Sequence, residues 1–91
     1  MTVRWTLQAA SDLEQMCDYI QKESAEAALA TARRVYRRIE ALRRYPYRGR
    51  AGRVPGTREL VLAPLPYVGV YEVAVDAIVV SRILHGARRW P

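Results

Sequence analysis

The sequence predicts an α+β fold: an N-terminal strand, an antiparallel helical hairpin, then three antiparallel strands forming a twisted sheet. Three observations carry this. Apolar residues recur at helical spacing through the first half of the chain. β-Branched and aromatic residues crowd the second half. The connections between the predicted strands are too short for the crossover that a parallel return needs. Helices followed by strands, rather than alternating with them, make the α+β pattern. Residues 1–91 read as one domain, without internal repeats, low-complexity tracts or linkers.

Val3-Arg4-Trp5 is extended in character and predicts the first strand. Thr6 is placed to cap a helix from Leu7 to about Glu23, whose apolar stripe is Leu7, Ala10, Leu13, Met16, Cys17 and Ile20. Asp12, Glu14, Gln15 and Asp18 fall to the other side. Ser24 caps a second helix running to about Arg44, with Glu26 in the first turn, where the helix dipole favours an anion. Its stripe is Ala28, Ala32, Val35, Ile39 and Leu42, and five arginines lie opposite or beside it. Tyr45-Pro46 ends the helix, because the residue before proline is pushed out of the helical region. The near absence of a linker makes the pair an antiparallel hairpin.

Tyr47 to Gly56 is a glycine-spaced loop carrying Arg48, Arg50 and Arg53. It lacks the Gly-Lys-Ser/Thr ending of a phosphate-binding loop, which excludes ATP or GTP hydrolysis of that type. Three strands follow, over Arg58–Ala63, Tyr67–Val73 and Ile78–His85. In the last, simple alternation puts Ile78, Val80, Arg82 and Leu84 on one face, and Val79, Ser81, Ile83 and His85 on the other.

Charge is the strongest compositional signal, a net +6 at pH 7 with a sequence pI near 10.1. Fourteen of the fifteen basic residues are arginine, the side chain suited to forked contacts with phosphate or carboxylate. Nucleic acid and an acidic protein both fit such a surface. The single cysteine, Cys17, excludes an internal disulfide framework and a cysteine-rich metal site. One histidine and scattered acids offer no metal-ligand spacing, so no metal or cofactor is expected. Signal-peptide and membrane-span patterns are absent, and the expected location is the cytoplasm.

The segment Ile78–Pro91, IVVSRILHGARRWP, begins as a core strand and turns polar at the only histidine, His85. Together with GTRELVLAPLPYVGVYEV it resembles the RelE/ParE superfamily of toxins from bacterial type II toxin–antitoxin systems. The shared features are a G-x-R-E-L run, a V-Y-E-V central strand and a last strand closing on I-L-H-G-x-R-R-W-P, with a looser match across the helices. The resemblance implies a growth-arresting toxin, neutralised by an acidic, partly disordered antitoxin that wraps its surface. It also offers two activities, ribosome-dependent cleavage of mRNA in the RelE-like and YoeB-like branches and non-enzymatic inhibition of DNA gyrase in the ParE branch. The leading expectation is the metal-independent endoribonuclease; the alternatives are the gyrase inhibitor and a degenerate toxin acting only in an antitoxin–operator complex.

Cleavage at a ribose 2′-hydroxyl needs a base, an acid and charge stabilisation at phosphorus. His85 matches a histidine of the YoeB-like branch and is the candidate acid or base, with Arg58 as phosphate clamp. Glu59 reads equally as a base and as a partner for an arginine. Arg48, Arg50, Arg53, Arg82, Arg88 and Arg89 are the candidate RNA or phosphate ligands, although Arg82 falls opposite His85 in the alternation, where it reads as structural. Three departures weigh against nuclease chemistry: Val68 stands where the YoeB-like enzymes carry an arginine, the RelE-like lysine cluster is absent, and no tyrosine follows the last strand. The chain departs from the ParE branch as well, reading L-H-G-A-R-R-W-P where that branch often has L-H-x-R-M-D, so the shared Leu-His does not discriminate.

Overall fold

A computed structural model describes all residues, Met1–Pro91. Strand β1 (Thr2–Trp5) leads into helices α1 (Leu7–Gln21) and α2 (Ala25–Glu40), the latter extended by a 3-10 turn over Ala41–Arg43. Four strands follow: β2 (Arg50–Ala51), β3 (Arg58–Val61), β4 (Tyr67–Val73) and β5 (Ala77–His85). The capping residues act as expected. Thr6 Oγ1 accepts from Ala9 N–H at 3.1 Å, and Ser24 Oγ from Ala27 N–H at 3.1 Å.

The sheet order is β1-β5-β4-β3-β2. The three long C-terminal strands pair antiparallel as their short connections require. Two features differ from the sequence expectation. β1 pairs parallel with β5, Val3 beside Ile78 and Trp5 beside Val80, so the sheet is mixed. The helical hairpin and the strands after it supply the long return that parallel pairing needs. The glycine-spaced loop also contributes an edge strand, β2, in which Arg50 faces Glu59 and Ala51 faces Arg58.

The core lies between the helices and one face of the sheet. Val35, Ile39 and Leu42 from the α2 segment meet Leu60, Leu62, Tyr71, Ile78, Val80 and Ile83, with Ala9 and Leu13 from α1. The α2 stripe is therefore close to the predicted one. That of α1 is rotated: Ala9 replaces Ala10, and Leu7 stands in solvent. Gly69 lets α2 come close, since a Cβ there would lie 3.1 Å from Ile39 Cδ1. The side chain of Arg38 leaves its helix to donate to the carbonyls of Ala63 (2.7 Å) and Val61 (3.0 Å), tying α2 to the end of β3.

The alternation predicted for the last strand fails at one place. The register between β4 and β5 shifts between Val70, which faces Arg82, and Tyr71, which faces Val80. Ser81 is the extra residue of a β-bulge, so two residues of β5 oppose one of β4. Ile78 and Val80 face the helices as one parity class, and after the bulge Ile83 does so as the other. Leu84, grouped with Ile78 and Val80 by simple alternation, faces the opposite side with Val68.

Candidate functional site

His85 ends β5, directly across from Tyr67, and the two rings meet edge to face at 5.8 Å. Its Nδ1 accepts the backbone N–H of Ala87 at 3.1 Å, which leaves the proton of the neutral ring on Nε2. Two further bonds shape this corner: Gly86 N–H donates to Pro66 O and Arg88 N–H to His85 O. The imidazole thus closes the strand end and borders an open cleft shared with Asp12, Met16, Tyr19, Tyr67 and Arg88.

The cleft supplies little for proton transfer. Its one carboxylate, Asp12, accepts from Arg82 Nε at 2.8 Å, from Arg82 Nη2 at 3.3 Å and from Ile83 N–H at 3.0 Å. Burial alone would raise the Asp12 pKa; the hydrogen bonds from Arg82, Gln8 and Ile83 outweigh it and hold the carboxyl below its ordinary value. Tyr67 is moved the other way, burial pushing its phenol up, which keeps it protonated. Arg82 is therefore committed to α1. Asp12, placed by pattern on the solvent side of that helix, is the carboxylate that fastens helix to sheet. Its spacing of three from Ala9 and four from Met16 puts it beside the apolar stripe, and that was the available signal.

Arg58 and Glu59 lie elsewhere. Arg58 pairs with Tyr71, four residues along β4 from the partner of His85, about 13 Å at the usual strand rise. Its Nε donates to Gly49 O at 2.9 Å and its Nη2 to Tyr47 O at 3.2 Å. Glu59 faces Val70 and so projects from the side of the sheet away from the helices, opposite to His85. Only 2% of Glu59 is exposed. Arg50 Nη2 approaches one of its oxygens at 3.2 Å, while Arg53 contributes its backbone N–H at 2.9 Å and its Nε at 3.6 Å to the other. Burial would raise the Glu59 pKa, but the Arg53 and Arg50 hydrogen bonds and their charges bring it below the ordinary value. The sheet register thus separates the three residues singled out for catalysis.

The candidate phosphate ligands divide as well. Arg50, Arg53 and Arg82 have carboxylate partners, and Arg53 also reaches Trp90 O at 3.4 Å, drawing the C-terminal tail toward the face that carries Glu59. Arg48 lies over the Tyr45 ring. Arg88 and Arg89 are exposed and make no ion pair, Arg88 standing at the His85 cleft.

The site thus sits on a small mixed sheet backed by a helical hairpin and rimmed by arginines. Comparison with known proteins gives the class. Residues 3–90 match the family model described as the ParE toxin of the type II toxin-antitoxin system, parDE. Y4kP of Sinorhizobium fredii, which carries a toxin name, is 38% identical over 89 residues, 98% of this chain and 92% of that protein. A solved structure of the chromosomal ParDE system from P. aeruginosa superimposes with a TM-score of 0.85 at 30% identity, covering 93% of this chain and 95% of that one. The chain belongs to the ParE toxin family of type II toxin–antitoxin systems, and an antitoxin is its partner by class.

Proposed function

We propose that this toxin arrests growth by binding and blocking its target rather than by cutting RNA, and that the target is DNA gyrase. The observation that carries this is the separation of His85, Arg58 and Glu59: an acid–base pair for 2′-hydroxyl chemistry must reach one phosphate, and these groups occupy two faces and two ends of the sheet. The commitment of Arg58 to two backbone carbonyls and of His85 Nδ1 to Ala87 supports it further. So does the ParE name of the matching family. Under this reading His85 shapes the strand end, and the exposed Arg88 and Arg89 beside it serve recognition.

The test pairs two readouts on purified protein. Gyrase supercoiling is expected to be inhibited while mRNA in a translating extract stays intact. His85→Ala, if folded, should keep at least half of the inhibition. Cleaved mRNA with unimpaired supercoiling, and loss of that cleavage in His85→Ala, would overturn the proposal in favour of the endoribonuclease. Failure of both activities, with operator binding retained beside the antitoxin, would leave only the degenerate toxin.

A further inference from the structure

The tip of the loop after α2 carries an arrangement that the gyrase reading does not use. Tyr45 and Tyr47 stand in solvent, 51% and 66% exposed, among the most exposed aromatic side chains of the protein. Each already holds a guanidinium on its ring. Arg48 lies 4.8 Å above the Tyr45 centroid and Arg58 lies 5.2 Å from that of Tyr47. Arg44 joins them around a shallow concavity. None of the three arginines has a carboxylate partner.

The loop is held in shape from below. Arg48 N–H donates to Tyr45 O at 3.1 Å, closing a turn with Pro46 at its second position. The buried Tyr71 hydroxyl donates to Pro46 O at 2.7 Å and accepts from Gly49 N–H at 2.9 Å. Arg58 holds the carbonyls of Tyr47 and Gly49. The two tyrosines are thus displayed on an anchored backbone and gain nothing for the core.

We infer that the Tyr45–Arg48 turn is a stacking platform for a single-stranded nucleic acid, with bases on the open faces of Tyr45 and Tyr47 and phosphates on Arg44 and Arg48. Flat aromatic faces beside unpaired guanidinium groups suit bases joined by a phosphate chain. The carboxylates of an acidic peptide would meet the charge but bring no flat face to the rings. A duplex, its bases stacked on one another, would likewise offer the rings nothing. This inference is independent of the gyrase proposal, since it concerns direct binding in the absence of any other protein.

Fluorescence anisotropy on purified toxin tests it, with labelled single strands of DNA and of RNA about 12 nucleotides long, within the usual site size of such surfaces. Tyr45→Leu and Tyr47→Leu are each expected to weaken binding about tenfold, and the phenylalanine variants to retain it. Arg48→Gln should lower the steepness of the salt dependence by about 0.7, the value for one phosphate contact on a single strand. A preference for the DNA or the RNA strand identifies the source of the ligand. Unchanged affinity in the leucine variants, or equal affinity for a duplex, would overturn the inference in favour of bulk electrostatic attraction. Competition by an acidic peptide that itself loses affinity in the leucine variants would reassign the surface to protein binding. Photocrosslinking of the wild-type protein to a bromouracil-containing strand needs no variant: the crosslink is expected within Tyr45–Arg48, and crosslinks only elsewhere overturn the platform.

Discussion

Tyr71 places one oxygen where three segments meet. It lies in the core on β4, yet its hydroxyl satisfies both Pro46 O and Gly49 N–H in the loop after α2. Gly49 is required there: a Cβ would fall 2.7 Å from that hydroxyl and 2.9 Å from the carbonyl of Glu59. Removing the oxygen leaves a buried donor without a partner, a loss of about 1–3 kcal/mol. Tyr71→Phe is therefore expected to lower the unfolding free energy by that amount, read as a lower urea midpoint at unchanged slope, and to loosen the Tyr45–Arg48 turn. An unchanged midpoint would mean that water replaces the hydroxyl. Arg58 shares the task from the neighbouring strand, so its substitution should disturb the same loop.

At the scale of elements, Asp12 fastens α1 to the part of β5 that lies beyond its pairing with β1. Parallel pairing ends at Trp5 and Val80, after which Thr6 N–H bonds Val80 O and Asp12 takes Ile83 N–H. Asp12→Ala removes the partner of a largely buried guanidinium and is expected to cost about 3 kcal/mol in chemical denaturation. Adding Arg82→Met should recover part of that loss, because the stranded charge goes with it. Full additivity of the two substitutions would show that the pair is not coupled. The same region marks where sequence pattern stops being sufficient. Both helices, their caps and the three C-terminal strands were legible, because each is set by local periodicity and capping chemistry. The bulge at Ser81, the parallel pairing of β1 and the inward turn of Asp12 depend on pairing between distant segments. For the same reason His85, Arg58 and Glu59 could be picked out singly from the family-like motifs, while their separation across the sheet could not. Tyr45 and Tyr47 gave no signal as a pair, since exposure of an aromatic residue is a property of the finished fold.

Over the whole molecule, the excess of positive charge makes the two clamped carboxylates responsible for acid stability. Asp12 and Glu59 both have folded-state pKa values below their ordinary values of 3.8 and 4.5. A depressed carboxylate contributes stability that is fully present above its unfolded pKa and is lost as pH falls through the folded one. Stability should therefore be flat near neutrality and fall as pH drops through about 4 and below. Protonation of the acids also leaves fifteen lysine and arginine charges unopposed, adding self-repulsion to the loss of the two clamps. Glu59→Gln separates the contributions. Arg50 and Arg53 then converge on a neutral buried amide, so the variant should be less stable than wild type at pH 7. Its profile below pH 5 should be shallower, because one of the two linked protons has gone. Added salt should recover the part due to self-repulsion but not the part due to Glu59, whose side chain is only 1% exposed and little screened. Thermal midpoints of both proteins across this pH range, at low and high salt, measure each part. Equal slopes for wild type and Glu59→Gln would show that Glu59 is not the linked group and would place the acid sensitivity in net charge and Asp12.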